Sequence, residues 1–266
     1  MNLATAIYAK SGGTPWLHDG PIIPAGVFIG IAFTKPKIQQ ETTSTKELFY
    51  YGVLTVYNKF GKYLDTRVKS LTIEVPRTRK IKGTKGLYIP KEDMIELIRE
   101  VISHYNPPII IIHKSSRFHS EEKEAIQETL KEKDIDYVLT HVESSNPYRG
   151  FGEEEHGYNT IRGDLLLDQE IPNRAIFFTT GCTQSDKGIK LRKRPGTPRP
   201  LELEIEDNTS PFDTKEIASH ILSLTKLDWN TTDIEVRTPV TIKYARRAAM
   251  LAPYMEGIVA EIRDLM

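Results

Sequence analysis

Gly-Val-Phe-Ile-Gly-Ile-Ala-Phe-Thr, residues 26–34, is apolar at almost every position. A strand with one face in solvent alternates apolar and polar side chains, whereas a strand covered on both faces is apolar throughout. We therefore predict a buried strand here, in the middle of a sheet that has a layer packed on each face.

Two further strands follow this central one. Residues 48–57 and 62–73 are rich in aromatic and β-branched side chains, and the turn-like linker Asn58-Lys59-Phe60-Gly61 separates them. Such a linker between two strand patterns favours a hairpin. The first three strands are therefore predicted to be antiparallel.

The next segments alternate between helix and strand. Pro90 opens a helical pattern that Asn106-Pro107-Pro108 stops before an apolar strand at 109–113. A second helix at 120–132, with glutamates in its first turn, leads to a strand at 135–142. Helices between strands call for parallel strands joined by right-handed crossovers. The predicted fold class is α/β, with a mixed sheet of three antiparallel and then parallel strands, flanked by helices.

The remainder of the chain offers weaker patterns. A polar, Gly-rich stretch runs to about residue 163, and the basic run from Lys187 to Arg199 is predicted to be a loop. The further elements that we expect are strands near 164–168, 174–180 and 200–206 and helices near 211–224 and 240–264.

Length and charge limit what the chain can do. The 266 residues are enough for one large core, so we expect a single domain. Lys plus Arg equals Asp plus Glu at 36 each, so any surface that binds a polyanion must be a local patch. The only cysteine is Cys182, and no signal peptide or membrane-spanning run is evident, which favours a reducing, cytoplasmic location without a membrane.

Motifs for other chemistries are absent from the sequence. There is no Gly-x-x-x-x-Gly-Lys-Ser/Thr loop, no Cys-x-x-Cys or His-Glu-x-x-His spacing and no Gly-x-Ser-x-Gly turn. We therefore expect no cofactor. Cys182 has no identifiable base beside it and is interpreted as an ordinary buried thiol, and Trp16 and Trp229 are interpreted as core residues.

Several separated motifs, in one order along the chain, resemble the PIWI domain of prokaryotic Argonautes, which is an RNase H-like module. The resemblance covers residues 1–266. Its motifs are Ala-Lys-Ser-Gly-Gly-Thr-Pro-Trp at 9–16, Phe-Ile-Gly-Ile-Ala at 28–32, Ile-His-Lys-Ser-Ser-Arg-Phe at 112–118, Tyr-Arg-Gly-Phe at 148–151, Gly-Thr-Pro-Arg-Pro at 196–200, Leu-Thr-Lys-Leu-Asp-Trp-Asn at 224–230 and Pro-Val-Thr-Ile-Lys-Tyr-Ala-Arg at 239–246.

The resemblance also implies that the catalytic site has been lost. Cleaving Argonautes hold two divalent cations with an acidic tetrad, and hard cations need anionic oxygen ligands. Three tetrad positions fall here at Ala32, Ser115 and Arg246. We therefore expect no bound metal and no enzyme activity. The resemblance implies that the family's mobile glutamate comes from residues 60–75, where Asp65 and Glu74 are candidates. The alternative is a register shifted by one residue, for which the acids near the first two strands are Asp19, Glu41 and Asp65.

Nucleic-acid-binding residues are proposed on two grounds. The resemblance implies that Arg237 and Lys243 contact guide-strand phosphates and that Thr197 and Arg199 line the channel. The residue pattern adds basic side chains at strand and helix ends and in the basic run, where they would neutralise phosphates. These candidates are Lys114, Arg117, Arg149, Lys190, Arg192 and Arg246. His113 is interpreted as a satisfied edge histidine.

The resemblance further implies partners. A MID domain precedes PIWI in Argonautes, and we expect MID, PAZ and N domains to be absent from this chain, as in a split subunit or a fragment. The expected partners in nucleic-acid-guided defence are guide and target strands of RNA or DNA, a MID-bearing protein or segment, and an effector protein. An active nuclease with displaced acids and a protein-interaction scaffold are the alternative functions.

Overall fold

The computed structural model describes residues 3–35, 46–75, 86–185, 188–191, 196–231, 233 and 235–254. Its strands are β1 Val27–Thr34, β2 Lys46–Asn58, β3 Tyr63–Val75, β4 Ile109–Lys114, β5 Asp136–Glu143, β6 Leu165–Leu167, β7 Arg174–Phe177, β8 Thr183–Ser185, β9 Gly188–Lys190 and β10 Leu201–Asn208. Its α-helices are α1 Leu3–Lys10, α2 Lys91–Tyr105, α3 Ser120–Glu132, α4 Thr214–Leu224 and α5 Val240–Leu251. Short 3-10 turns are formed by Glu154–His156, Thr225–Leu227 and Ala252–Tyr254.

Eight of these strands form one mixed sheet in the order β3-β2-β1-β4-β5-β10-β7-β6. Strands β1, β2 and β3 pair antiparallel, and β1, β4 and β5 pair parallel. The predicted fold class is therefore confirmed, as is the central position of β1. Beyond β5, strand β10 and then β7 and β6 return to antiparallel pairing.

Helices cover both faces of the sheet and divide the core into two apolar layers. One layer joins the sheet to α2 and α3 through residues such as Met94, Ile98 and Ile126. The other joins it to α4 and α5 through residues such as Ile221 and Ala245. Because β1 lies between the layers, its first six residues are all buried. The apolar run at 26–34 thus reflects coverage on both faces.

Side chains next to the first turns of α3 and α4 determine where these helices begin. His119 precedes α3 and accepts a hydrogen bond from the amide of Glu121, while the Glu122 carboxylate accepts one from the amide of His119 at 2.8 Å. Asp213 and Glu216 form the equivalent reciprocal pair at the start of α4. These bonds satisfy amide groups that a helix leaves open at its first turn.

Two features differ from the sequence-based expectation. The N-terminal segment forms the short helix α1, and the basic run begins in a small hairpin, because β9 pairs antiparallel with β8. The prediction that the run is entirely a loop is therefore wrong for 188–190. No helix in the described part of the chain is long and apolar enough to span a lipid bilayer.

Candidate nucleic-acid interface

The carboxyl ends of β1, β4 and β5 lie at one edge of the sheet because these three strands are parallel neighbours. We call these ends, with the loops that follow them, the strand-end edge. In open α/β sheets this is the edge at which ligands bind. Ala32 lies near the end of β1, Ser115 directly follows β4, and Glu143 is the last residue of β5.

Ala32 lies in a closed apolar environment. It is only 4% exposed and belongs to the same hydrophobic cluster as Ala245 and Ala248 of α5. Ser115 is half-buried and carries a neutral hydroxyl, and Arg246 is exposed on α5. A methyl group, a hydroxyl and a guanidinium thus stand at the three positions where the resemblance implies metal ligands.

These three side chains do not fit the two-metal site of a cleaving Argonaute. Divalent cations of this kind need several anionic oxygen ligands, and Arg246 would repel them. Among the residues that the structure describes, no three His, Cys, Asp or Glu side chains form a group that could hold a metal ion.

The acids considered as replacements do not supply such a group either. Asp65 forms a 2.6 Å ion pair with Arg67, and its carboxylate also accepts a 2.8 Å hydrogen bond from the amide of Thr66. Asp19 is exposed in a loop before β1. Glu41 and the side chain of Glu74 lie outside what the structure describes.

Arginines gather where β5 ends and β10 begins. The Nη2 atom of Arg237 donates to the carbonyl oxygen of Ser144 at 2.5 Å and to that of Pro200 at 2.7 Å. Burial lowers the pKa of Arg237, and the positive charges of Arg199 and Arg149 lower it further. Arg199 and Arg149 therefore lie close enough to Arg237 to repel it, and the Glu143 carboxylate offsets part of this positive charge.

Arg246 adds a fourth guanidinium at the strand-end edge. Desolvation lowers its pKa, and the Glu143 carboxylate at the end of β5 acts in the opposite direction. We refer to Arg149, Arg199, Arg237 and Arg246 as the arginine cluster. Arg199 and Arg246 are exposed and make no hydrogen bond or close ion pair with any described residue. Their charges are therefore available to an anionic ligand.

The other two arginines of the cluster have backbone partners. Arg149 is exposed, and its Nη1 atom donates to the carbonyl oxygen of Tyr148 at 2.6 Å. Arg237 is half-buried, and its two bonds tie the end of β5 to the start of β10. Arg237 therefore positions the corner, while Arg199 and Arg246 face solvent.

Lys114 was predicted to bind nucleic acid, and the structure contradicts this prediction because the side chain is buried. Its side chain is 1% exposed, and its ammonium group pairs with Glu122, which is fully buried. The ammonium also lies 5.1 Å from the ring centroid of Phe33 and 5.2 Å from that of Phe118. Burial lowers the pKa of Lys114, although Glu122 opposes this shift. Lys114 is thus a core residue that does not reach a surface ligand.

Arg117 and Lys243 are reachable but already paired. Arg117 is 63% exposed and forms a two-point contact with the carboxylate of Glu204, one of whose bonds measures 2.6 Å. Lys243 pairs with Asp228, whose carboxylate also accepts a 3.0 Å hydrogen bond from the Tyr244 hydroxyl. A phosphate would have to compete with these carboxylates for either cation.

The remaining candidates lie in and after the small hairpin. Lys190 is exposed on β9, and Thr197 is half-buried before Pro198. Arg192, with the neighbouring Lys193 and Arg194, lies outside the described residues. The structure therefore brings Arg149, Arg199 and Arg237 together, links Arg246 to them through Glu143, and does not bring Lys114 to their surface.

His113 is a buried residue of β4. Its Nδ1 atom lies 2.9 Å from the hydroxyl of Thr241 on α5, whereas its buried Nε2 atom has no hydrogen-bond partner among the described residues. Burial lowers the pKa of His113 to about 3, and nearby His220 contributes to this shift. The imidazole is therefore neutral at physiological pH and links β4 to the first turn of α5.

Comparison with solved structures identifies the same architecture elsewhere. The Argonaute of Clostridium butyricum, in a structure with a guide DNA and a 19-mer target DNA, matches 97% of this chain at 22% identity with a TM-score of 0.70. Two structures of Aquifex aeolicus Argonaute match 92% and 94% of it at 17% and 16% identity, with TM-scores of 0.64 and 0.63. The chain has the RNase H-like fold of an Argonaute PIWI domain.

The match covers only part of those proteins, since the chain spans 31% of the length of each of these Argonaute chains. No family model matches the sequence, and neither does any of the curated proteins compared with it. The similarity at this level of identity is one of fold.

Proposed function

We propose that this chain is a nucleic-acid-binding PIWI module of a prokaryotic Argonaute that holds a guide–target duplex and does not cleave it. The observation that carries the proposal is the identity of three residues at the strand-end edge. Ala32, Ser115 and Arg246 stand where the resemblance implies metal ligands, and none of these side chains supplies the anionic oxygen that a divalent cation needs.

Arginine can bind a phosphate group in place of a metal ion. A guanidinium forms charge-assisted hydrogen bonds to a phosphodiester, so it can hold the backbone at the edge of the sheet. It cannot lower the pKa of a bound water or stabilise the departing oxygen as a pair of divalent cations does. Binding is thereby retained without hydrolysis.

We further propose that full affinity requires a MID domain, on the same or another polypeptide, and that an effector protein acts with the complex in defence. A MID domain would supply the contacts to the guide's 5′ end, and two linked sites bind more tightly than either one alone. The arginine cluster by itself would then give a weak, salt-sensitive interaction. The choice between RNA and DNA is left to the binding assay.

The test is a fluorescence anisotropy titration of labelled RNA–DNA and DNA–DNA duplexes at several salt concentrations, with and without a MID-bearing protein. The expected result is weak binding by the chain alone, a decrease in affinity with rising salt and tighter binding with the MID domain present. Complete absence of binding at low salt, with and without the MID domain, would contradict the proposal and favour a protein-interaction scaffold.

A further inference from the structure

The loop that follows β5 exposes aromatic side chains beside the arginine cluster. Phe151 is 71% exposed and Tyr158 is 59% exposed. Phe151 is the most exposed phenylalanine among the described residues. Tyr148 is 39% exposed, but its hydroxyl accepts a 3.3 Å hydrogen bond from Arg174, so this tyrosine already has a partner. Phe151 and Tyr158 are thus the two large rings that this loop presents to solvent.

The backbone under these rings is held in place. The amide of Gly152 donates to the carbonyl oxygen of Tyr158 at 3.1 Å, and the amide of Tyr158 donates to that of Glu153 at 3.0 Å. These bonds bring the two ends of the loop together, so that Phe151 and Tyr158 occupy neighbouring positions on it.

The glycines on either side of Phe151 explain how closely the loop packs. A Cβ atom at Gly150 would lie 2.3 Å from the ring of Phe178, and one at Gly152 would lie 2.1 Å from the carbonyl oxygen of Asn159. Gly150 packs against Phe178, and Gly152 packs against the returning part of the same loop, whereas the side chain of Phe151 between them is exposed. An aromatic ring on a fixed loop loses little conformational entropy when it binds a ligand.

The charges around the rings differ on their two sides. Arg149 precedes Phe151 in the loop whose first residue, Ser144, accepts a hydrogen bond from Arg237 of the arginine cluster. The exposed carboxylates of Glu153, Glu154 and Glu155 follow Phe151. A phosphate backbone is attracted to the arginine side and repelled from the glutamate side, whereas a base is uncharged and its amino groups can donate to carboxylates.

We infer that Phe151, together with Tyr158, is a stacking platform for an unpaired base of the strand that the arginine cluster holds. This inference rests on the proposed function and adds to it the recognition of single-stranded nucleic acid. Stacking on an aromatic ring is tolerant of base identity, because every base has a π face. The position of Phe151 beside Arg149 favours a nucleotide over a protein partner.

The experiment compares the full chain with Phe151→Ala, Phe151→Leu and Phe151→Trp variants. Each protein is titrated into fluorescein-labelled 20-nucleotide single strands of DNA and of RNA, and into the matching duplexes. Leu3→Ala is the control, because Leu3 is also an exposed apolar residue, at 72%, but lies on α1. A second readout is the fluorescence of single strands that contain 2-aminopurine, which decreases when the base stacks.

Phe151→Ala and Phe151→Leu are expected to weaken single-strand binding about 5- to 150-fold, the range for loss of one stacked base. Phe151→Trp and Leu3→Ala are expected to bind as the unchanged chain does, and duplex binding is expected to change little. The dependence of affinity on salt should be the same in all variants, because stacking releases no counterions. Quenching of 2-aminopurine should occur with phenylalanine or tryptophan at position 151 only.

Failure of the proposed function and failure of the stacking inference give different results in this experiment. If the unchanged chain binds neither single strands nor duplexes at low salt, with and without a MID-bearing protein, the proposed function and this inference both fall. If it binds duplexes but not single strands, only the inference falls. If the unchanged chain binds single strands and Phe151→Leu binds them equally well, only the inference falls, and the exposed rings are then better explained as a docking site for protein. A loss of binding that Phe151→Trp fails to restore would also overturn the stacking role.

Discussion

Gly30 of β1 lies directly against the backbone of Thr241 in the first turn of α5. A Cβ atom at residue 30 would be 2.0 Å from the Thr241 carbonyl oxygen and 2.4 Å from its carbonyl carbon. The same carbonyl accepts a 3.1 Å hydrogen bond from the Thr55 hydroxyl on β2. The helix that carries Arg246 is therefore fixed to the middle of the sheet by backbone contact.

The first prediction is that Gly30→Ala destabilises the protein. The added methyl group has to push α5 away from β1, and such overpacking costs about 1–3 kcal/mol of unfolding free energy. Urea denaturation followed by circular dichroism measures it. Gly20→Ala is the matched control, because a Cβ atom there would meet no atom within 4 Å. A Gly30→Ala protein as stable as this control would show that the contact is not rigid.

The second prediction concerns the buried ion pair. Lys114→Met leaves the Glu122 carboxylate without its cation in the core, and breaking a buried pair from one side costs about 3–5 kcal/mol. Glu122→Gln added to Lys114→Met should recover part of this loss, since it removes the isolated charge. Lys91→Met, which breaks an exposed 2.8 Å pair with Glu128, should change stability far less than Lys114→Met does, because solvent screens the exposed pair. Equal effects of the two lysine substitutions would contradict the buried placement of Lys114.

The third prediction is a loss of stability below neutral pH that arises from two histidines. Burial lowers the pKa of His113 to about 3 and that of His220 to about 4, from an ordinary value of 6.5. The unfolded chain therefore binds more protons than the folded chain between these values, so the stabilisation present above pH 6.5 is lost as pH falls. Each histidine accounts for about 2 kcal/mol between pH 7 and pH 5.

Urea denaturation at pH 7, 6 and 5 measures this dependence. His220→Phe should reduce it by about half, because His113 still titrates, and the new ring can lie between Phe28 and Phe212, which the imidazole contacts now. His104→Gln, a change at an exposed position on α2, is the control and should keep the original slope. The same steep slope in His220→Phe as in the unchanged chain would show that His220 is not the group that titrates.

The sequence predicted the architecture well because the relevant patterns are local. An unbroken apolar run indicated that β1 is covered on both faces, and Asn58-Lys59-Phe60-Gly61 indicated the hairpin between β2 and β3. Proline and asparagine marked the two ends of α2, where Asn106 takes the left-handed conformation with φ of 40°. Each of these signals acts within about ten residues.

The site was less predictable because its pairings depend on how helices and strands pack, even where the partners, such as Lys114 and Glu122, are only eight residues apart. Lys114 resembles any cation at a strand end until the fold places Glu122 beneath it, and Arg117 is neutralised by Glu204, 87 residues further on. The assembly of Arg149, Arg199 and Arg237 depends on β5 and β10 being neighbours, which no local pattern indicates. The hairpin of β8 and β9 has only three residues in each strand and leaves no distinct signal.

The fourth prediction separates the arginines that face solvent from those that hold the fold. Arg199→Ala and Arg246→Ala should each weaken duplex binding and reduce the slope of log affinity against log salt by about 0.9 for each phosphate that the protein no longer neutralises. Arg99→Ala removes an exposed arginine from α2 and should leave the slope unchanged. The slopes are measured by anisotropy titrations at salt concentrations between about 50 and 200 mM. Identical slopes in all three variants would exclude Arg199 and Arg246 from the binding surface.

A cleavage assay tests most directly whether this edge of the sheet binds nucleic acid without cutting it. A labelled target paired with an RNA or DNA guide is incubated with an excess of the chain, with and without a MID-bearing protein. Separate reactions contain Mg²⁺, Mn²⁺ or EDTA, and the products are resolved on a denaturing gel. The account predicts intact target under every condition in which binding is observed. A product cut at a fixed position in the presence of metal, and abolished by EDTA, would contradict it and would show that acids other than those expected form a working site.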